Sequence, residues 1–389
     1  MVNKFINKNW HVYLVIAAIL IISALSWGSF AKTVVNETML ENSQADNEIT
    51  TNGKEINSSE DGFTYIYELL NGPIEKVNNS WKVFKQSFFS SIDTFTTYFV
   101  TGEISSLQVI GGKKGWLFYG SKIDGDSIGD FEGTNYLSDA EMEAMYDTAI
   151  SAQNEMENRG IKFVILVPPN KENVYAEYMT EAYLHCEKSR TDILVDYLSE
   201  KGVNIISPKQ ELLQEHLDYH LYYSYDTHWN QLGAYIGVKS TLKFWGYDLP
   251  DFSERNIICK DLNNEYHYGA SDDLAQLTGM RFVFSNEKEY IIDGTLPVDW
   301  SEFEKEQNET GISYFYNENA SIDAKIAIFG DSFRISTVPS LGEQFSEVYV
   351  AERSNFTAAV IDEINPDYVI LEFVERYSDA IKNVDCGFQ

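Results

Sequence analysis

The sequence predicts an α/β protein built around a parallel β-sheet with helices on both faces. Apolar runs of strand length recur along the chain with helical segments between them, at residues 161–167, 203–206, 324–329 and 368–374. Such alternation is typical of a parallel sheet that is covered on both sides. Between Pro250 and Ala320 the alternation stops, and short β-like runs stand among polar and aromatic residues. We therefore expect an inserted lobe at about residues 250–320.

Local patterns define the other elements. A glycine turn inside residues 109–119 predicts a hairpin. Ser138 is a suitable N-cap for a polar helix over residues 139–159. Further elements are predicted in chain order as a helix around residues 192–201, a helix to about residue 217, a helix over residues 230–245 and a strand at residues 348–350.

Composition bounds the possible functions. The 389 residues are enough for one large or two modest domains, and 44% hydrophobic content indicates a globular protein. A formal net charge of -31 argues against nucleic acid as a partner, because phosphates require a basic face. The spacing of the three cysteines matches no zinc site. We expect neither a metal nor a cofactor.

The amino-terminal region predicts a membrane anchor. Residues 12–31 carry no charged side chain and are long enough to span a bilayer, and two lysines precede them. The positive-inside rule then leaves the amino terminus in the cytoplasm and the rest of the chain outside. A cleavable signal peptide is the alternative. The predicted organisation is a cytoplasmic terminus at 1–11, a signal anchor at 12–31, a disordered linker at 32–62, an amphipathic helical segment at 63–106 and the main domain at 107–389.

A strand-to-helix turn at Gly330-Asp331-Ser332 is the first candidate catalytic feature. The apolar run before it predicts a buried strand, and the following segment predicts a helix. A serine at this turn lies at the carboxyl edge of the sheet, where α/β proteins bind ligands. The N–H groups of the helix amino terminus favour an oxyanion next to Ser332. The alternative is that Ser332 is only a helix N-cap.

Asp226 and His228 supply the groups that a serine nucleophile needs. They stand two residues apart, so in an extended or turning backbone both side chains point to the same side. The carboxylate of Asp226 can then orient the ring of His228, whose other nitrogen activates the hydroxyl of Ser332. The alternative is that this segment caps the helix that starts near Trp229.

Five motifs together carry a family resemblance: Gly115-Trp116-Leu117-Phe118, Pro169-Asn170-Lys171, Asp226-Thr227-His228-Trp229, Gly330-Asp331-Ser332-Phe333 and Glu375-Arg376. In order and approximate spacing, this set resembles the SGNH-hydrolase-like proteins of the alginate O-acetyltransferase type. It also resembles their relatives in Gram-positive bacteria that are named for an Asp-His-His-Trp motif. This chain departs from that motif at Thr227, and its lobe resembles no carbohydrate-binding module.

The resemblance implies an SGNH-hydrolase-like, flavodoxin-like fold and an extracytoplasmic O-acetyltransferase at the cell membrane. Its acceptor would be a bacterial polysaccharide, and its partner a multi-spanning membrane O-acyltransferase. Ser332 would be the nucleophile, His228 the base and Asp226 the orienting acid. A carbohydrate acetylesterase and a non-catalytic partner of a membrane acyltransferase are the alternatives.

Further residues are candidates for the oxyanion or substrate site. Asn170 follows a parallel strand and is the candidate second oxyanion donor. The other candidates are Gly330, Asp331, Lys171 and Arg376. We expect Arg376 to form an ion pair with Glu375 at the edge of the site.

Overall fold

The computed structural model describes residues 104, 106, 108–262, 272–281, 283–284 and 287–384. All of these except residue 104 belong to one compact unit, Ser106–Gln389. The predicted terminus, anchor and linker, and nearly all of the predicted helical segment at 63–106, lie outside the described residues. Every helix of the described part is too short or too polar to cross a bilayer.

The central sheet has six strands in the described part of the chain. With labels numbered along the chain, their spatial order is β4 (Ile205–Ile206), β3 (Lys162–Leu166), β10 (Tyr368–Glu372), β8 (Ile322–Gly330), β9 (Phe345–Glu352) and β7 (Ile312–Tyr316). The first five are parallel, and β7 is antiparallel to β9. Two antiparallel strand pairs lie outside this sheet, β1 (Val109–Gly111) with β2 (Leu117–Tyr119) and β5 (Ile257–Asp261) with β6 (Lys288–Ile292).

The antiparallel edge strand corrects the prediction of a wholly parallel sheet. β7 lies within the stretch that was assigned to the inserted lobe, yet it pairs along its whole length with β9. Gly311 ends the preceding helix with a φ of 75° and lets the chain turn back. Tyr314 and Tyr316 are exposed while Ser313 is buried, because one face of this edge strand is solvated. The strand therefore lacks the continuous apolar run of the buried strands.

The strand order explains why the Asp–His pair precedes the serine in the sequence. Counted from β8, the order β9-β8-β10-β3-β4 is 2-1-3-4-5, which is the flavodoxin-like arrangement. Along this chain the first strand of the central sheet is β3, which occupies the fourth position of that arrangement. The segment after β4 that carries Asp226 and His228 therefore precedes β8 and Ser332 in the chain. The strands therefore occupy flavodoxin-like positions in the sheet but follow one another along the chain in a permuted order.

Helices cover both faces of the sheet, as predicted. Alternate residues of β3 enter opposite core clusters, Val164 and Leu166 on one face and Phe163 and Ile165 on the other. Residues of α5 (Lys209–Glu215), α6 (Gln231–Phe244) and α9 (Val338–Gln344) join the first cluster. Residues of α2 (Asp139–Asn158), α4 (Arg190–Glu200) and α10 (Ala358–Ile364) join the second. The predicted N-cap of α2 is confirmed, since Ser138 and Glu141 form a capping box.

The remaining helices are short or lie at the rim of the sheet. They are α1 (Ser127–Glu132), α3 (Lys171–Val174), α7 (Asp273–Leu277) and α8 (Trp300–Thr310). Six 3-10 helices span Lys113–Gly115, Ala176–Tyr178, Phe252–Glu254, Ser332–Thr337, Arg353–Asn355 and Glu375–Asn383 in the described part. The elements β5, α7 and β6 follow one another in the chain, and "the lobe" below means the described residues between 257 and 292.

Candidate active site

The turn after β8 presents Ser332 to solvent. β8 ends at Gly330, and a 3-10 helix begins at Ser332, which is exposed. Asp331 is the N-cap, and its carboxylate accepts the N–H of Phe333 at 3.0 Å. The reading of Ser332 as the helix N-cap is therefore wrong. A Cβ at Gly330 would lie 2.9 Å from the Cβ of Glu372 and closer still to its carboxyl group, so only glycine fits this turn.

The loop between α5 and α6 presents His228 to the serine. Asp226 Oδ1 accepts the main-chain N–H of His228 at 2.8 Å and lies 2.5 Å from its ring Nδ1. The other ring nitrogen, Nε2, lies 2.6 Å from the Oγ of Ser332. The cap of α6 is Asn230, so the Asp–His segment does not have that role. Trp229 links the two segments, since its Nε1 donates to the main-chain oxygen of Phe333 at 2.9 Å.

The electrostatic surroundings favour a charged imidazole at His228. Burial lowers the pKa of His228, but the charge and hydrogen bond of Asp226 and the charge of Asp273 outweigh burial, and the net shift is upward from 6.5. An imidazolium formed at this position is therefore stabilised. The arrangement serves a residue that accepts a proton during the reaction and later returns it.

Asp273 of the lobe is the residue that sequence reasoning missed. Its carboxylate accepts the N–H of Thr227 at 2.8 Å and the hydroxyl of Thr227 at 2.6 Å. Its Oδ2 also lies 3.9 Å from His228 Nδ1. The sequence shows only an Asp272-Asp273 pair before a short apolar segment, and nothing in that pattern links it to residues nearly fifty positions upstream.

The loop between α5 and α6, residues 216–230, is called the base loop below. Lys171 contacts it, and the Lys171 head group is bonded to main-chain oxygens rather than facing a substrate site. Its Nζ donates to the carbonyl oxygens of Tyr223 at 3.1 Å, Ser224 at 3.3 Å and Asp226 at 2.6 Å. Lys171 is buried, and burial lowers its pKa to about 8. Its contacts make it a support for the loop that holds Asp226.

Asn170 lies at the same edge of the sheet as Ser332. It follows β3, which is separated from β8 by β10 alone. Its main-chain N–H donates to Glu375 Oε2 at 2.8 Å, whereas neither polar atom of its buried side chain has a partner among the described residues. A buried amide without a partner costs about 1–3 kcal/mol. Such an amide is suited to bind a ligand oxygen.

Arg376 is buried at the rim of the site, and its guanidinium packs on aromatic rings. It lies 5.5 Å from the ring centre of Phe333 and 5.6 Å from that of Tyr119. The expected ion pair with Glu375 is not formed in the described part. The carboxylate of Glu375 instead accepts hydrogen bonds from Asn170, Asn173 and Ser189. The positive charge of Arg376 therefore lies beside the ring of Phe333, the residue that follows Ser332.

Gly330 and Asp331 have roles in the scaffold of the turn. The second oxygen of Asp331 accepts the N–H of Val374 at 2.9 Å and lies 3.3 Å from Arg353. Glu372 is wholly buried beside it, and burial together with the charge of Asp331 raises the pKa of Glu372 well above its usual range. The shift favours the protonated form of Glu372 beneath the turn.

One set of possible metal ligands exists among the described residues, and it coincides with this site. Ligand atoms of Asp226, His228 and Asp273 lie within 4.8 Å of one another. Both ring nitrogens of His228 are already within hydrogen-bond distance of Asp226 and Ser332. A cation would have to displace one of these two contacts.

Part of this domain is similar to a known protein family. Residues 109–291 match the family model described as the SGNH hydrolase-like domain, acetyltransferase AlgX. The resemblance drawn from the motifs is thereby confirmed, and the enzyme class of this SGNH hydrolase-like domain is O-acetyltransferase. The matched stretch contains Asp226, His228 and Asp273, while Ser332 follows it.

Solved structures of similar proteins include Bacillus cereus PatB1, with 14% identity, 70% of this chain and 96% of that chain covered, and a TM-score of 0.48. A DHHW family protein from Eubacterium siraeum has 17% identity, coverage of 72% and 97%, and a TM-score of 0.48. The O-acetyltransferase domain of Pseudomonas putida AlgJ has 14% identity, coverage of 71% and 99%, and a TM-score of 0.44. No curated protein sequence matches the chain.

Proposed function

We propose that this protein transfers acetyl groups to hydroxyls of a bacterial cell-surface or secreted polysaccharide through an acetyl-Ser332 intermediate. The observation that carries the proposal is the contact chain from Asp226 through His228 to the exposed Ser332, with distances of 2.5 Å and 2.6 Å. Three side chains from two distant segments meet in the order that acyl transfer requires.

In the first half-reaction, the Oγ of Ser332 attacks the acetyl carbonyl of a donor. His228 Nε2 accepts the hydroxyl proton and passes it to the leaving group of the donor, while Asp226 stabilises the imidazolium. The negative charge on the carbonyl oxygen is met by the main-chain N–H of Ser332 and the side-chain amide of Asn170. A donor of this kind is worth roughly 3 kcal/mol in the transition state.

In the second half-reaction, a sugar hydroxyl attacks the acetyl-enzyme. His228 takes the proton from that hydroxyl and returns it to the Oγ of Ser332 as the ester bond to the serine breaks. The products are an acetylated sugar and the free enzyme. Because Ser332 is exposed, water can compete with the sugar. This exposure favours a carbohydrate acetylesterase as the second candidate function.

A cavity of about 630 Å³ is the candidate acceptor site. Its volume is within the usual range of ligand pockets. It lies against Tyr223, whose main-chain N–H donates to the oxygen of His228 at 3.2 Å, and against Ser336, in the helix that begins at Ser332. Its lining also includes the aromatic side chain of Trp300 and several hydrogen-bonding side chains that suit a sugar: Gln231, Lys260, Glu289 and Asp293.

The proposed location is outside the cytoplasm at the cell membrane, with a single anchor at residues 12–31. The apolar composition of that segment and its preceding lysines support this location. A multi-spanning membrane O-acyltransferase would then supply acetyl groups from inside. The proposed partner and location rest on the sequence.

The test uses the full chain in detergent, with p-nitrophenyl acetate as donor and defined oligosaccharides as acceptors. Wild type is compared with Ser332→Ala, and Ser340→Ala is the matched control because this buried serine lies on α9 and is not a member of the triad. Acetylated sugar formed by wild type and the control, but not by Ser332→Ala, supports the transferase. Acetate release without transfer supports the esterase. Equal transfer by Ser332→Ala would refute the proposal.

The acceptor site has its own test. Trp300→Ala is expected to raise the KM for an oligosaccharide acceptor about 5- to 30-fold, as the loss of 1–2 kcal/mol of binding implies. Hydrolysis of p-nitrophenyl acetate should stay unchanged, since that reaction needs no acceptor. An unchanged acceptor KM would exclude this cavity as the sugar site.

A further inference from the structure

The lobe is bonded to the base loop at several consecutive residues. Ala275 donates its N–H to the oxygen of Tyr225 at 3.1 Å, and Glu287 accepts the N–H of Tyr225 at 2.8 Å. Asp273 then accepts both the N–H and the hydroxyl of Thr227, at 2.8 Å and 2.6 Å. The residue between the two members of the Asp–His pair is therefore held from outside its own loop.

We propose that Asp273 is a positioning residue of the acyl-transfer reaction, which acts through Thr227 to fix the orientation of His228. This inference rests on the proposed function only in assigning His228 as the base. Thr227 stands directly before His228, and its hydroxyl lies 3.4 Å from His228 Nδ1. A carboxylate that accepts two hydrogen bonds from one threonine fixes both its backbone and its rotamer.

The geometry also gives Asp273 a contact with each member of the Asp–His pair. Its main-chain N–H lies 3.4 Å from Asp226 Oδ2, the carboxylate oxygen that does not face His228. Its own Oδ2 lies 3.9 Å from His228 Nδ1. Asp273 thus restrains the acid through its backbone and the base through Thr227. A shift of the His228 ring by even 1 Å would move its Nε2 out of contact with the Oγ of Ser332.

The charge of Asp273 adds an effect that can be separated from its hydrogen bonds. Charged or titratable groups from other parts of the chain surround Asp226 and His228: Asp273 on α7, Glu287 next to β6, Lys171 on α3 and Arg376 on the last 3-10 helix. Asp226 and Asp273 both favour the imidazolium, and Arg376 opposes it. Removing the charge of Asp273 should therefore lower the pH at which His228 becomes neutral and active.

The experiment measures the rate at which a sulfonyl fluoride modifies Ser332 in the full chain, followed by mass spectrometry from pH 5 to pH 9. In this reaction the serine oxygen bonds to sulfur, fluoride leaves and His228 takes the proton. The rate reports activation of Ser332 by His228 whether or not an acetyl group is transferred. The variants are Asp273→Asn, Asp273→Ala and Thr227→Val, with Asp272→Asn as matched control because Asp272 contacts Arg281 rather than Thr227.

In Asp273→Asn, the amide oxygen can still accept the N–H of Thr227 and the amide nitrogen can donate to its hydroxyl oxygen, but the negative charge is lost. We expect a rate plateau close to wild type and an acidic midpoint lowered by about 0.5–1 pH unit. Asp273→Ala and Thr227→Val lose the restraint, and their plateaus should fall about 10- to 100-fold. Asp272→Asn should match wild type.

Wild-type plateaus and midpoints in all three test variants would overturn the inference, as would a wild-type Ser332 that is not modified at all. Asp273→Asn keeps the result interpretable if Asp273→Ala does not fold. Modification of wild-type Ser332 without any acetyl transfer to sugar would refute the proposed function and leave this inference to be decided by the variants.

Discussion

The nucleophile and the base of the candidate site are held in different ways. Ser332 stands on a turn whose shape is set by its neighbours in sequence and by the adjacent strand β10. His228 stands on a loop that makes one isolated bridge, between Tyr222 and Trp229. That loop is fixed by Lys171 from one side and by the lobe from the other. The nucleophile therefore depends on local geometry, while the base depends on side chains from distant parts of the chain.

The largest effect should come from removing the base itself. His228→Ala is expected to lower kcat for p-nitrophenyl acetate by roughly 10³-fold or more, because the proton of Ser332 then has no acceptor. Steady-state kinetics measure this, with His216→Ala as control, since His216 contacts Glu177 and lies outside the triad. A loss of less than about tenfold would mean that another group activates Ser332.

The pH profile of the same reaction sharpens this assignment. Since the pKa of His228 is raised above 6.5, the imidazole is protonated and inactive at lower pH. Activity of wild type should therefore fall as the pH drops through a midpoint above 6.5. A midpoint near the ordinary carboxyl range, at about pH 4, would instead point to a carboxylate base.

Replacing Asn170 tests whether its side-chain amide is the second oxyanion donor next to Ser332. Asn170→Ala should lower kcat by about 10²-fold, as expected for one oxyanion donor, with little change in KM. Its melting temperature should not fall, since its amide has no partner among the described residues. Asn173→Ala is the contrasting variant, because that amide donates to Glu375 at 2.8 Å. Asn173→Ala should lower stability more than kcat, and equal kinetic losses in both variants would exclude Asn170 as a specific donor.

The sequence predicted the nucleophile and the Asp–His pair, but it did not predict the contacts that support the base. The turn at Gly330-Asp331-Ser332 follows from a strand, a glycine and a helix start, which are local signals. The pairing of Asp226 with His228 follows from their spacing. The contact from Thr227 to Asp273 could not be predicted, because it depends on how the lobe folds back. Lys171 was expected near the substrate, but a buried ammonium needs several acceptors and finds them in the base loop.

The edge strand β7 shows the same limit in the fold. Its residues alternate between solvent and core. In the sequence, this pattern cannot be distinguished from that of a short strand in a separate small lobe. The parallel strands were predictable because they are buried on both faces and appear as continuous apolar runs. The permuted strand order was not predicted, because it is visible only in the sheet topology.

Gly330→Ala tests the local support of the nucleophile. The added Cβ would collide with Glu372, so we expect a loss of roughly 2–3 kcal/mol in the free energy of unfolding. Denaturant unfolding measures this loss, and adding Glu372→Ala to the same chain should recover part of it because the collision partner is gone. No recovery in the double variant would mean that strain elsewhere causes the loss.

Lys171→Met tests the distant support of the base, and its effect on stability should be smaller. Methionine leaves three carbonyl oxygens of the base loop without their donor, which costs about 1–3 kcal/mol. Burial lowers the pKa of Lys171 to about 8, so its ammonium is itself held at an energetic cost that methionine removes.

These two effects oppose each other, and we expect a net loss of about 1 kcal/mol in the free energy of unfolding. The kinetic effect should nevertheless be clear, because Asp226 loses the contact that fixes its backbone. Lys188→Met, at an exposed lysine that pairs with Asp196, is the control and should change neither quantity. If Lys171→Met kept full activity, the base loop would be fixed by the lobe alone, and the two supports of His228 would not be equivalent.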